Sequence, residues 1–193
     1  ENSEWIEKRS PDIIVCFGFS KLLKKRILNI APMGVLGFHP AKLPQNRGRH
    51  PLIWALVLGL KETASTFFFM DEGADTGDIL SQERIIISDE DDASSLYAKV
   101  TSTALKQIKN FYPMLLNKSY VRIKQDNKSA NTWRKRGASD GLIDWRMSAQ
   151  SIHNLVKALA KPYIGAHFTH EDNEIKVWKT KVIKTELCNI EPG

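Results

Sequence analysis

The chain has 193 residues, 42% of them hydrophobic and 26% charged, with a net charge of +6 at pH 7. That apolar fraction supports a real core and excludes compositional disorder, and the length suits one domain or one and a half. No apolar run approaches the roughly 20 residues of a membrane span. The basic residues form no long block, so the excess charge suits an enzyme handling anions at least as well as a nucleic-acid binder.

The start, Glu1-Asn2-Ser3-Glu4-Trp5, has neither an initiator Met nor a basic segment followed by an apolar one. A cytoplasmic piece of a longer protein is the expectation. Cys16 and Cys188 make neither a disulfide framework nor a metal site, and no metal is expected.

In chain order, Asp12 to Phe17 is a short apolar run stopped by Gly18, which predicts a buried strand. Leu22, Leu23, Arg26, Ile27 and Ile30 follow helical spacing behind Ser20 as N-cap. Gly34 to Phe38 predicts a second buried strand. Pro51 is placed for the first turn of a helix carrying Leu52, Ile53, Trp54, Leu56, Val57 and Leu58. Thr63 to Met70, β-branched and aromatic, predicts a strand ended by the Gly/Asp cluster 71–78, and Ile85-Ile86-Ile87 another short one.

Asp91-Asp92 then opens a long helix with Leu96, Tyr97, Val100, Ala104, Leu105, Ile108, Phe111, Tyr112 and Leu115 at spacings of three and four. Residues 118–140 turn polar and basic and predict a linker. Beyond it, Ser148 caps a helix bearing Ile152, Leu155, Val156 and Leu159. Two strands around Glu171-Asp172-Asn173 read as a hairpin. Strands alternating with helices predict an α/β layer with a parallel sheet.

In such sheets ligands gather beyond the carboxyl ends of the strands. His39 stands at such an end, and its imidazole can stabilise a developing oxyanion and relay a proton. Asp75 lies in a Gly-flanked loop from which a carboxylate could reach it. The competing reading is a turn aspartate and a solvent-facing histidine. Arg49 reads equally as a surface ion pair, Asn46 as a turn residue, and Gly37 as a close backbone approach at a strand end.

The segment Phe38-His39-Pro40-Ala41-Lys42-Leu43-Pro44 with Arg47-Gly48, followed by Met70-Asp71-Glu72-Gly73-Ala74-Asp75-Thr76-Gly77-Asp78, resembles the ordered motifs of the folate-dependent formyltransferases. The similarity takes in methionyl-tRNA formyltransferase-like enzymes and continues through Ile143-Asp144-Trp145, Lys161-Pro162-Tyr163-Ile164-Gly165-Ala166 and Val177-Trp178-Lys179. The stretch from Arg47 to Trp54 is most similar to the amino-sugar N-formyltransferases.

The resemblance implies a Rossmann-like formyltransferase sheet, incomplete on its N-terminal side, over 1–117. It also implies the linker 118–140 and the start of a small barrel-like C-terminal domain over 141–193. It implies 10-formyltetrahydrofolate as formyl donor and the amine of a nucleotide-linked amino sugar as acceptor. His39 and Asp75 would be catalytic, with Gly37, Asn46, Arg47, Gly48 and Arg49 lining the substrate or folate. Methionyl-tRNA formylation, formyltetrahydrofolate hydrolysis and silent folate binding stay open, as does a homodimer. The family carries Asn two residues before the histidine and Leu at the position of Lys42; here Gly37 and Lys42 stand instead.

Overall fold

The computed structural model describes residues 2–183; Cys188 and the end of the C-terminal segment lie outside the described residues. The elements are α1 (Asn2–Glu7), β1 (Ile14–Cys16), α2 (Lys25–Leu28), β2 (Val35–His39), β3 (Arg47–Gly48), α3 (Pro51–Val57), β4 (Glu62–Phe69), β5 (Ile79–Ile86), α4 (Ala93–Leu116), β6 (Thr132–Trp133), α5 (Ala149–Ala158), β7 (Ala166–His170) and β8 (Asn173–Val177).

The main sheet has four strands in the order β1-β2-β4-β5. Only β1–β2 is parallel; β4 runs antiparallel to β2, with Phe38 opposite Phe67 and His39 opposite Thr66. This differs from the parallel sheet expected from strand–helix alternation. The cause lies in the connection: α3 has 7 residues and is about 10 Å long. It does not carry the chain back to the start of β2, so β4 begins where β2 finishes. β5 then pairs antiparallel with β4 over Glu62↔Ile86 to Phe68↔Ile79. The sheet is therefore mixed.

Strand periodicity sends alternate residues of β2 to opposite faces. Leu36 packs with Phe67, Phe69, Phe111 and Leu115 beneath α4, and Phe38 lies against them. Gly37 and His39 face the other way, toward Phe68 and Thr66. A second core joins α3, α4 and α5 through Leu52, Ile53, Leu56, Leu96, Val100, Leu155 and Val156, with Ile143 and Ala166 included. The segment after the polar stretch thus shares a core with the helices before it. β7 and β8 form a two-stranded hairpin. Its turn residues Glu171 and Asp172 have φ of 46° and 61°, the left-handed pair that a two-residue hairpin turn demands. No closed barrel is formed among the described residues.

The second helix is shorter than its spacing suggests. It starts after Lys24, which makes no side-chain cap. Leu22 is 62% exposed, so an earlier turn would have no apolar surface to lie on, and an isolated turn is unstable.

The start of α4 is firmly built. Asp92 accepts from Ser95 N–H at 2.9 Å in a capping box. Buried Asp91 accepts from Ser88 N–H at 2.7 Å and Ser95 hydroxyl at 2.8 Å, and pairs with the Lys99 ammonium. Burial by itself would raise the Asp91 carboxyl; the Lys99 contact and the Ser88 and Ser95 donors outweigh it and hold it down to about 2. A carboxylate depressed on folding stabilises above its unfolded value, and that stability is lost as pH falls through the folded value. Asp91 should therefore contribute about 2 kcal/mol at neutral pH, disappearing between about pH 4 and 2. Urea unfolding across that range should show the loss, and Asp91→Asn should flatten it.

Candidate active site

His39 ends β2 with 5% of its surface exposed. The segment that follows is pinned over the sheet: Thr66 hydroxyl donates to the Ala41 carbonyl at 2.6 Å, and Gln82 donates to the Leu43 carbonyl at 2.9 Å. Lys42 is drawn away to Glu62, at 2.7 Å. The chain then turns back over the histidine, and His39 Nε2 meets the Asn46 carbonyl at 2.8 Å. A carbonyl only accepts, so Nε2 carries the proton and Nδ1 is the nitrogen without one in the neutral ring. Nδ1 faces Oδ2 of Asp75 at 3.6 Å. That is too long for a direct hydrogen bond, yet near enough for strong attraction once Nδ1 gains a proton.

Asp75 reaches the site from the long β4–β5 connection, in the left-handed conformation (φ 59°). Its Oδ2 accepts from Gly48 N–H at 2.8 Å, which fixes the carboxylate beside the ring. Gln125 donates to the Asp75 and Gly77 carbonyls at 2.9 and 2.7 Å and holds that loop in place.

Arg47 is buried and points into the support of the site. Its guanidinium donates to Gln125 Oε1 at 2.7 Å and Asn127 Oδ1 at 2.8 Å. Gly48 pairs with Trp133 across β3–β6 and, besides its bond to Asp75, lies tight against that strand. Arg49 donates to the Ser20 carbonyl at 2.7 Å, joining the loop after β1 to the one after β2. Asn46 has φ 63°, and its N–H donates to Asn131 Oδ1 at 2.7 Å. Gly37 lies two residues from His39 on the same face, where a Cβ would stand 2.8 Å from Met70 Cγ and 3.1 Å from the Phe68 ring. His50, next to Pro51, accepts from Arg136 N–H at 3.4 Å. Burial, then Arg49, Lys135 and Arg136, push it below the ordinary histidine range.

The structure therefore brings His39, Asp75, Asn46 and Gly48 together, with Arg47 one step behind. Gln125, Asn127 and Asn131 are the supports the sequence did not disclose. They lie in the segment whose polar composition predicts a linker, and they reach partners 48 to 85 residues away. Gln125→Ala is expected to cost about 1–3 kcal/mol, because it leaves the buried Arg47 guanidinium and two carbonyls with fewer partners. A thermal unfolding curve checks it. Among the described residues there is no cluster of His, Cys, Asp or Glu that could hold a metal, and no helix long and apolar enough to cross a membrane.

A mixed sheet thus ends one strand in a histidine whose open nitrogen is faced by a loop carboxylate. The formyl transferase family profile matches residues 1–110, and that of the formyl transferase C-terminal domain matches residues 136–193. The chain belongs to the formyl transferase family. It is 38% identical over 184 residues to the bifunctional polymyxin resistance protein ArnA of Wigglesworthia glossinidia brevipalpis, covering 94% of this chain and 28% of that one. The chain thus spans little more than a quarter of that relative's length.

A 4-N formyltransferase from Francisella tularensis has the same fold, with a TM-score of 0.81 at 23% identity, covering 96% of this chain and 76% of that one. So has WlaRD, a sugar 3N-formyl transferase solved in the presence of dTDP and 5-N-formyl-THF. Its TM-score is 0.68 at 22% identity, covering 79% of this chain and 56% of that one. Methionyl-tRNA formyltransferase and HypX structures share the fold as well.

Proposed function

We propose that this chain carries the catalytic centre of an enzyme that moves the formyl group of 10-formyltetrahydrofolate to the amine of a nucleotide-linked amino sugar. The observation that carries the proposal is the His39–Asp75 pair, with Nδ1 open toward a carboxylate and Nε2 fixed by a carbonyl. As the amine nitrogen bonds to the formyl carbon, the carbonyl electron pair moves onto oxygen and the amine must shed a proton. His39 Nδ1 takes it, and Asp75 stabilises the resulting imidazolium and keeps the ring oriented. Collapse of the tetrahedral adduct re-forms the carbonyl and breaks the bond to the folate nitrogen. That nitrogen recovers the proton from Nδ1, leaving a formamide and tetrahydrofolate.

The sugar acceptor is supported by the folds shared with a 4-N formyltransferase and a sugar 3N-formyl transferase, the latter solved with a nucleoside diphosphate and a formylated folate. The tRNA alternative draws on the basic segment 118–140, in which Arg122, Arg134 and Arg136 already have partners within the chain. Arg122 lies 3.7 Å over the Phe69 ring and donates to the Met33 carbonyl. Arg134 pairs with Asp140, and Arg136 is buried over Trp54.

The test offers the full-length protein nucleotide amino sugars, methionyl-tRNA, or no acceptor. Formyl donor consumption should require an amino sugar. Consumption without acceptor would mark a hydrolase. Transfer to methionyl-tRNA, falling steeply with salt, would establish the alternative.

A further inference from the structure

Asp75 presents its carboxylate to His39 from an open loop: Asp71 to Ala74, just before it, are exposed. Its left-handed backbone (φ 59°) is uncommon outside glycine and persists where the surroundings over-determine it. Two bonds hold the residue, one at each end. Gly48 N–H donates to Oδ2 at 2.8 Å, and Gln125 Nε2 donates to the main-chain carbonyl at 2.9 Å.

These two donors are joined behind the site. Arg47, next to Gly48 in β3, is buried, and its Nη2 donates to Gln125 Oε1 at 2.7 Å and to Asn127 Oδ1 at 2.8 Å. Its Nε adds a second bond to Gln125 Oε1 at 3.2 Å. A guanidinium only donates, so it fixes the Gln125 amide with Oε1 toward Arg47 and Nε2 toward the loop. Both Nε2 hydrogens are then used, on the Asp75 and Gly77 carbonyls. The bonds close a ring. It runs from the Asp75 carboxylate to Gly48, along the chain to Arg47, through the Gln125 amide and back to the Asp75 carbonyl.

The segment that carries Gln125 is tied down on either side. Ile123 exchanges backbone bonds with Ile79 of β5 at 2.8 and 2.9 Å, and the Asn131 carbonyl accepts from Arg47 N–H at 3.1 Å. Between them, Asp126 accepts from Lys128 N–H at 3.0 Å in a short 3-10 helix (Asn127–Ser129). A segment of linker-like composition is thus a fixed support.

We infer that Gln125 is a positioning residue: through the ring it shares with Arg47, it sets the 3.6 Å separation of Asp75 Oδ2 from His39 Nδ1. The inference rests on the function proposed above. At that separation the carboxylate attracts the imidazolium that forms when Nδ1 takes the amine proton, and drift of the loop weakens the attraction when it is needed.

Gln125→Glu separates positioning from stability. The new carboxylate still accepts from Arg47, now as an ion pair, but has no hydrogen for the Asp75 and Gly77 carbonyls. The full-length variant should unfold near the temperature of the unsubstituted protein. Its kcat for formyl transfer, assayed well below Tm, should fall about 10–100-fold with KM for the donor unchanged. Arg47→Lys keeps the cation but not the two-nitrogen contact, and should show a smaller loss of the same kind. In an Asp75→Asn background, where the charge facing Nδ1 is already gone, either change should lower kcat by less than about threefold.

Equal losses in both backgrounds overturn the inference, because they mark damage that does not act through Asp75. So does a loss confined to KM, or a kcat for Gln125→Glu within about threefold of the unsubstituted protein; the function then stands. If Gln125→Glu does not fold, Arg47→Lys decides by the same comparison of backgrounds. Absence of transfer by the unsubstituted protein overturns the function, and this inference with it.

Discussion

His39→Ala in the full-length protein is expected to lower kcat for formyl transfer by about 10²–10⁴-fold, the usual contribution of a positioned general acid–base group. Asp75→Asn should cost somewhat less. An Asn oxygen can still accept from Gly48 N–H at the place where Oδ2 now does so at 2.8 Å, so the loop keeps its form while the charge facing Nδ1 is lost. In the proposed mechanism the two residues act on one proton. Their losses should therefore fail to add, and the double variant should resemble His39→Ala alone. Steady-state kinetics of the three variants tests this. Additive losses would mean that Asp75 works apart from the imidazole, for example by binding the acceptor amine directly.

The second large effect is expected at Gly48. Its φ is +103°, and a Cβ there would lie 2.2 Å from the Trp133 carbonyl oxygen and 3.0 Å from Thr132 Cγ2. Neither the backbone angle nor the neighbouring strand can accept a side chain without moving β3 from β6. Gly48→Ala should therefore lose about 2–4 kcal/mol from strain and broken pairing. For a chain of this size that lowers Tm by about 5–15 °C. The same movement withdraws the N–H that fixes Asp75, so activity should fall well below the permissive temperature too. Gly137→Ala, with nothing within 4 Å of the added atom, serves as the control and should leave both unchanged. Calorimetry and an assay well below Tm separate the two effects.

Much of this arrangement was legible because the signals are local. Pro51 opens α3, Asp91-Asp92 opens α4, Ser148 accepts from Ser151 N–H to cap α5, and Glu171-Asp172 turn the hairpin. The strand β5 is longer than Ile85-Ile86-Ile87 suggests because Ser81, Gln82, Glu83 and Arg84 carry polar side chains through its middle. There Gln82 donates to the Leu43 carbonyl in the loop after His39, and Ser81 meets Gln107 of α4. The direction of β4 depends on the length of the connection, which apolar patterning does not encode. The same applies at the site. His39 and Asp75 sit in recognisable loops, but Gln125, Asn127 and Asn131 serve them across the fold from a stretch whose composition resembles any solvated linker. Arg47 looks like a ligand-binding cation in sequence, yet its nitrogens are occupied inside the protein.

Formyl transfer to the sugar amine is tested most directly by following the formyl carbon itself. The full-length protein would be given 10-formyltetrahydrofolate labelled with carbon-13 in the formyl group, together with a nucleotide amino sugar, and the product read by NMR. A labelled formamide on the sugar nitrogen is expected, formed in step with tetrahydrofolate and absent with His39→Ala. Label appearing only as free formate, or a formamide formed equally well by His39→Ala, would contradict it.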